Sequence, residues 1–101
     1  MFEQGIVNLI TVHISGHLKD YTGKKREFVL PSSSIKNVLE LIDQLNQIFP
    51  GIKERVLDDQ DRARPFVNIF VNGENIRDGS GESTKLKDGD MIHILPSVAG
   101  G

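Results

Sequence analysis

The chain has 101 residues, 38% of them apolar and 26% charged, which is the size and composition of one globular domain. A formal net charge of −2 and a pI near 5.9 argue against nucleic-acid binding, and no apolar stretch is long enough to span a membrane. The absence of cysteine excludes disulfides, thiolate metal sites and a thiol nucleophile. Residues 1–4 do not open a signal peptide, so we expect a cytoplasmic protein.

The first strand is predicted within residues 6–15. There Ile10, Val12 and Ile14 alternate with polar residues, which is the period-two pattern of a half-buried strand. A second strand is predicted over residues 26–30. The two strands should form a hairpin with a long connection.

A single main helix is predicted next. Three serines at 32–34 predict its N-cap, since a serine hydroxyl accepts a hydrogen bond from a free N–H of the first turn. Pro50 and Gly51 end it, and residues 52–57 offer one further short turn before a polar, exposed loop at 58–65. The apolar face at 3.6-residue spacing comprises Ile35, Val38, Leu39, Ile42, Leu45 and Phe49.

The last third of the chain returns to strands. Residues 66–71 alternate, Asn72-Gly73 predicts a tight turn, a short piece follows at 75–76, and residues 91–95 form the closing strand. The order β-β-α-β-β predicts an α+β fold, in which one main helix covers a mixed sheet of four to five strands.

The chain closes with a small-residue tail, Val98-Ala99-Gly100-Gly101. Pro96 lacks an N–H and predicts that sheet pairing ends there, so that residues 1–96 form the domain and residues 97–101 a flexible tail outside the ladder. Glycine has no Cβ, so such a tail can be threaded into a narrow cleft. We expect the free α-carboxylate of Gly101 to be the reactive group.

A β-β-α-β-β chain ending in two glycines resembles the β-grasp, or ubiquitin-like, fold and in particular the sulfur carriers. These include the small subunit of molybdopterin synthase, the thiazole-synthesis carrier and the carrier of the thiocarboxylate-dependent cysteine pathway. The resemblance covers nearly the whole chain from Val7. It rests on three motifs: residues 66–73, the Lys87-Asp88-Gly89-Asp90 turn and residues 95–101.

The resemblance implies that a ubiquitin-activating-like adenylyltransferase uses ATP to adenylate the carboxylate of Gly101. The adenylate then becomes a thiocarboxylate, which donates sulfur to a synthase such as cysteine synthase or the large subunit of molybdopterin synthase. The chain has neither a dinucleotide-binding glycine motif nor a phosphate loop, so the ATP chemistry has to come from the partner. The chain is therefore expected to be a protein cosubstrate, not an enzyme, with no bound cofactor.

Four residues of the body are predicted to dock the partner. If Val67 and Ile69 face the helix, Phe70 faces outward, and if Ile92 and Ile94 are core, His93 and Leu95 lie on the same open face. Phe70, His93 and Leu95 then form an apolar patch next to the tail, with Arg77 as a further exposed contact. Within the tail, Val98, Ala99 and Gly100 are expected to enter the partner's tunnel.

Other polar residues are interpreted as ordinary surface groups. His13 and His93 can meet on neighbouring strands but lack metal-ligand spacing, and the acidic loop at 58–61 lacks the glycine and distal glutamate of a calcium loop. Two other functions stay open: a protein modifier joined to lysines through Gly101, and a binding module with an incidental diglycine. Among pathways, cysteine synthesis is favoured slightly over molybdopterin synthesis.

Overall fold

The computed structural model describes residues 8–97, which form one layer of sheet and one layer of helix. The chain leads from a strand pair through two helices to three further strands, with short 3₁₀ turns between them. The strands are β1 (Leu9–Ile14), β2 (Glu27–Pro31), β3 (Val67–Val71), β4 (Glu74–Asn75) and β5 (Met91–Pro96), and the helices are α1 (Val38–Ile48) and α2 (Ile52–Val56).

The five strands form one mixed sheet in the order β2-β1-β5-β3-β4. β1 and β5 run parallel, while the other neighbouring pairs are antiparallel. The last strand among the described residues, β5, therefore lies at the centre of the sheet. The predicted mixed sheet of four to five strands covered by one main helix is confirmed.

The strand phase predicted from alternation is also confirmed. Ile10, Val12 and Ile14 of β1 are at most 1% exposed, and Ile92 and Ile94 of β5 are fully buried. These side chains meet the apolar face of α1, where the buried residues are Val38, Leu41, Ile42 and Leu45. Burying a residue of this size contributes about 1.5 to 3 kcal/mol, so this interface carries much of the stability.

The start of α1 differs from the prediction. Asn37, not a serine, is the N-cap, and its Oδ1 accepts a hydrogen bond from the Glu40 N–H at 2.9 Å. The Glu40 carboxylate reaches back to accept from the Lys36 N–H at 2.7 Å. The three serines form a separate 3₁₀ turn, in which the Ser32 hydroxyl donates a hydrogen bond to Asp88 Oδ1.

The turns around the helices and strands are as predicted. Asn72 and Gly73 have φ of 51° and 87°, which a type I′ hairpin turn requires. α1 ends at Ile48, just before the predicted stop at Pro50 and Gly51, and Gly51, with φ of 102°, is the N-cap of α2, the predicted extra turn. Between residues 8 and 97, no helix is long and apolar enough to cross a bilayer.

Candidate functional site

The last described strand, β5, ends at the centre of the sheet. β5 is paired with β1 over residues 91–94 and with β3 over residues 92–96, so residues 92–94 are paired on both sides. Its register places Pro96 opposite Val67, and Ser97 is the last described residue. We call residues 96 and 97 the tail root, because the predicted tail begins there.

On one side, the tail root contacts a glycine that the sequence analysis did not single out. Gly16 has φ of +68°, and a Cβ built on it would lie 2.6 Å from Cγ and 2.9 Å from Cδ of Pro96. A side chain therefore has no room at this position. The neighbouring Ser15 N–H donates to the Ile94 carbonyl at 3.1 Å, which extends the contact between β1 and β5.

On the other side, Ser97 makes two hydrogen bonds. Its N–H donates to the Phe66 carbonyl at 2.6 Å, and the Asn68 Nδ2 group donates to its Oγ at 2.6 Å. Pro96 itself still pairs with Val67. β5 and its paired register end at Pro96, and the Ser97 N–H adds one backbone hydrogen bond beyond them; a flexible tail over residues 97–101 stays a prediction. A proline in the sheet loses only its own N–H donor, and the next residue remains free to pair.

The tail predictions at Val98, Ala99, Gly100 and Gly101 lie outside the described residues. Their roles in adenylation and in entering a partner's tunnel stay predictions.

Arg77 lies beside the tail root and is exposed. Its Nη1 donates to Asn68 Oδ1 at 2.9 Å, and its Nη2 donates to the Arg64 carbonyl at 2.6 Å. The guanidinium thus links the loop before β3 to the Asn68 amide. Asn68 pairs with Leu95 across the strands, so Arg77 borders the predicted patch.

The open face of the sheet carries the other predicted docking residues. His93 and Phe70 are opposite each other on β5 and β3, and both they and Leu95 are half-buried. The facing predicted from alternation is therefore confirmed, while the docking role stays a prediction. One row of side chains crosses all five strands on this face: Glu27, His13, His93, Phe70 and Asn75.

The two histidines of that row meet as the sequence allowed. Their ring centroids are 5.9 Å apart, and the Ser15 Oγ lies 2.8 Å from His93 Nε2, within hydrogen-bonding distance. His13 Nε2 lies 3.8 Å from Glu27 Oε1. Within residues 8–97 no group of three or more His, Cys, Asp or Glu side chains is arranged to hold a metal ion.

The acidic loop has a structural use. Asp58 Oδ1 accepts hydrogen bonds from the backbone N–H groups of Gln60 at 2.8 Å and Arg62 at 3.1 Å. These two donors, that of Arg62 first, hold the pKa of the Asp58 carboxyl below its ordinary value. Lys53 on α2 joins Asp61 to Asp43 on α1, at 3.8 Å and 2.7 Å.

Known sulfur carriers resemble this chain over most of its length. Residues 12–101 match the ThiS family. The sulfur carrier protein CysO of Mycobacterium tuberculosis is 37% identical over 94 residues, which is 91% of this chain and 98% of that protein. The molybdopterin synthase sulfur carrier subunit of Emericella nidulans is 30% identical over 95 residues, covering 89% and 94%.

Solved structures of sulfur carriers have the same fold. A chain in the crystal structure of the Amycolatopsis orientalis BexX/CysO complex superposes with a TM-score of 0.79 and 37% identity, covering 91% of this chain and 99% of that one. The central β5, the mixed sheet and its covering helix thus define a ubiquitin-like β-grasp domain. The chain belongs to the ThiS family of sulfur carriers, whose members are protein cosubstrates and not catalysts.

Proposed function

We propose that this chain carries sulfur as a thiocarboxylate on its C-terminal glycine, Gly101. A carboxylate oxygen of Gly101 attacks the α-phosphate of ATP, pyrophosphate leaves, and an acyl-adenylate forms. A sulfur nucleophile then attacks the carbonyl carbon and AMP leaves, so that one oxygen of the carboxylate is replaced by sulfur. The product is a C-terminal thiocarboxylate, which donates its sulfur to a biosynthetic enzyme.

The observation that carries the proposal is the similarity to the sulfur carrier CysO, which extends over 91% of this chain and 98% of the relative. The tail root supports it. A carrier has to present its reactive end from a stable body, and β5 supplies such a body because it is paired on both sides.

A partner enzyme has to provide the activation chemistry. The chain contains no cysteine and no glycine-rich phosphate loop, so it offers neither a thiol nor a cradle for the ATP phosphates. We propose a ubiquitin-activating-like adenylyltransferase as this partner, with ATP as its cosubstrate and no cofactor bound by the carrier.

The open sheet face is the proposed docking surface for that partner. Phe70, His93 and Leu95 lie together there, next to the tail root, and Arg77 borders them. Met91, two residues before His93 on β5, continues the surface and is 50% exposed. Contiguous exposed apolar area of this kind is typical of protein interfaces.

For the receiving enzyme, we propose cysteine synthase. Similarity to CysO, at 37%, exceeds the 30% identity to the molybdopterin synthase subunit over a similar length. We expect radioactive sulfur to pass from the thiocarboxylate to cysteine when cysteine synthase is present. With the large subunit of molybdopterin synthase instead, we expect no transfer to a molybdopterin precursor. The reverse result would reassign the pathway and leave the carrier chemistry intact.

The carrier chemistry is tested by intact-mass analysis. The chain is incubated with the adenylyltransferase from the same genome, ATP and sulfide, and wild type should gain the mass difference between sulfur and oxygen. Deletion of Gly101, and extension by one residue, should abolish the gain while the circular dichroism spectrum stays unchanged. A gain in the extended variant would refute the proposal.

Blots of cell extracts distinguish sulfur delivery from the two other functions. A ladder of heavier bands detected with an antibody to the chain would favour conjugation to lysines. A single band whose mass includes the extra sulfur supports delivery. A single band of unmodified mass, in cells that are making cysteine, would favour a plain binding module.

A further inference from the structure

We propose that Asn68 is a positioning residue that fixes the direction in which the tail leaves the domain. Arg77 holds the Asn68 amide, and the amide in turn holds Ser97. This inference rests on the proposed function, because it assigns Asn68 a part in presenting Gly101 to the activating partner. Asn68 touches no reacting atom, so its action passes through the tail root.

The hydrogen bonds form one continuous chain. The Arg64 carbonyl accepts from Arg77 Nη2 at 2.6 Å, and Asn68 Oδ1 accepts from Arg77 Nη1 at 2.9 Å. The other end of the amide, Nδ2, donates to Ser97 Oγ at 2.6 Å. Three segments that are distant in sequence are thereby joined at the end of β5.

The orientation of the Asn68 amide is set by its neighbours. Two donors face its oxygen, Arg77 Nη1 and the Nδ2 group of Asn75, the latter at 3.3 Å. An amide in the flipped orientation would bring its NH₂ group against both donors, so the oxygen has to face them. The nitrogen is then the group directed at Ser97.

Ser97 is consequently fixed from two directions. Its backbone N–H is held by Phe66, its hydroxyl by Asn68, and the preceding Pro96 ring lies against Gly16. Without the side-chain bond, the segment that a partner has to order on binding begins earlier in the chain. Ordering such a segment costs conformational entropy and weakens association.

The isolated carrier gives the first test. Asn68→Ala should lower the backbone ¹⁵N order parameter of Ser97 from about 0.85, typical of rigid backbone, to below about 0.6. The matched control is Asn72→Gly at the opposite end of the β3/β5 pair. It removes two hydrogen bonds, from Met91 N–H and to Asp90, and keeps the positive φ of that position. The control should leave Ser97 rigid.

Steady-state kinetics with the adenylyltransferase give the second test, with the carrier as the varied substrate. Asn68→Ala should raise KM for the carrier about three- to tenfold and leave kcat within about twofold, since only the ordering cost changes. Ser97→Ala should do the same, Ser97→Thr should retain wild-type KM, and the double variant Asn68→Ala/Ser97→Ala should be no worse than either single variant.

These outcomes separate a positioning role of Asn68 from a merely stabilising one. Unchanged order and KM in Asn68→Ala, or an equal rise of KM in Asn72→Gly, would overturn the inference. If wild type is never adenylated, the proposed function fails, and the order parameter of Ser97 alone decides whether Asn68 fixes the tail root.

Discussion

Gly16 and Pro96 pack so closely that no side chain fits between them: a Cβ on residue 16 would lie 2.6 Å from the proline Cγ. The two residues are 80 positions apart in the chain and meet where β5 ends. Since φ of Gly16 is +68°, this position requires glycine for two reasons: the close approach of Pro96 and the left-handed backbone conformation.

We therefore predict that Gly16→Ala destabilises the domain by about 2 to 4 kcal/mol, as left-handed strain and overpacking add. Gly23→Ala is the control, because Gly23 has φ of +63° and no atom within 4 Å of a built Cβ. It should cost about 1 to 2 kcal/mol, from backbone strain alone. Urea unfolding measures both free energies, and equal losses would contradict the close contact.

The docking surface gives the second prediction. Phe70→Asp should weaken binding of the adenylyltransferase about tenfold or more, because a charge is placed in an apolar interface. The melting temperature should fall only slightly, since Phe70 is half-buried. Titration calorimetry measures the affinity, with Gln47→Glu on the exposed surface of α1 as the charge-matched control. A large fall in melting temperature would show that Phe70 belongs to the core.

The third prediction concerns the start of α1. Asn37→Ala should cost about 1 kcal/mol, because the Glu40 N–H loses its acceptor. Ser33→Ala should have almost no effect, since the exposed Ser33 lies in the 3₁₀ turn and not at the cap. Chemical denaturation compares the two. A larger loss of unfolding free energy in Ser33→Ala than in Asn37→Ala would support the serine cap that the sequence indicates.

The fourth prediction is a dependence of stability on acid pH. The pKa of Asp58 is lowered by the N–H groups of Arg62 and Gln60, so its carboxylate binds protons less readily in the folded state than in the unfolded one. Its contribution is present above the ordinary value of 3.8 and is lost as pH falls through the lower folded pKa.

Asp58→Asn keeps an oxygen acceptor but cannot titrate. Its melting temperature should therefore decline less on acidification than that of wild type. Some decline should remain, because Lys24 lowers the pKa of Asp20 in the same direction. Thermal unfolding by circular dichroism from neutral pH to below 3.8 makes the comparison, with the exposed Asp59→Asn as control. Identical curves for wild type and Asp58→Asn would count against this role.

Local periodicity determined much of this fold. Alternation fixed the phase of β1, β3 and β5, because only one register buries the branched side chains of Ile69 and Ile94. The Asn72-Gly73 turn followed from the positive φ that both residues tolerate. The diglycine and its neighbouring motifs were enough to indicate the sulfur-carrier family before any contact was known.

Only the tertiary structure decided what lies around the tail root. Asn68 and Ser97 are 29 residues apart, and Gly16 meets Pro96 across a parallel strand pair, so no local pattern marks them. The helix cap was missed for a related reason. The serines have cap chemistry, but they form their own 3₁₀ turn, in which Ser32 is hydrogen-bonded to the distant Asp88, and the extended Ile35 ends that turn before α1 begins behind Asn37. Periodicity reports which face of an element is buried, whereas single polar contacts depend on which elements the fold brings together.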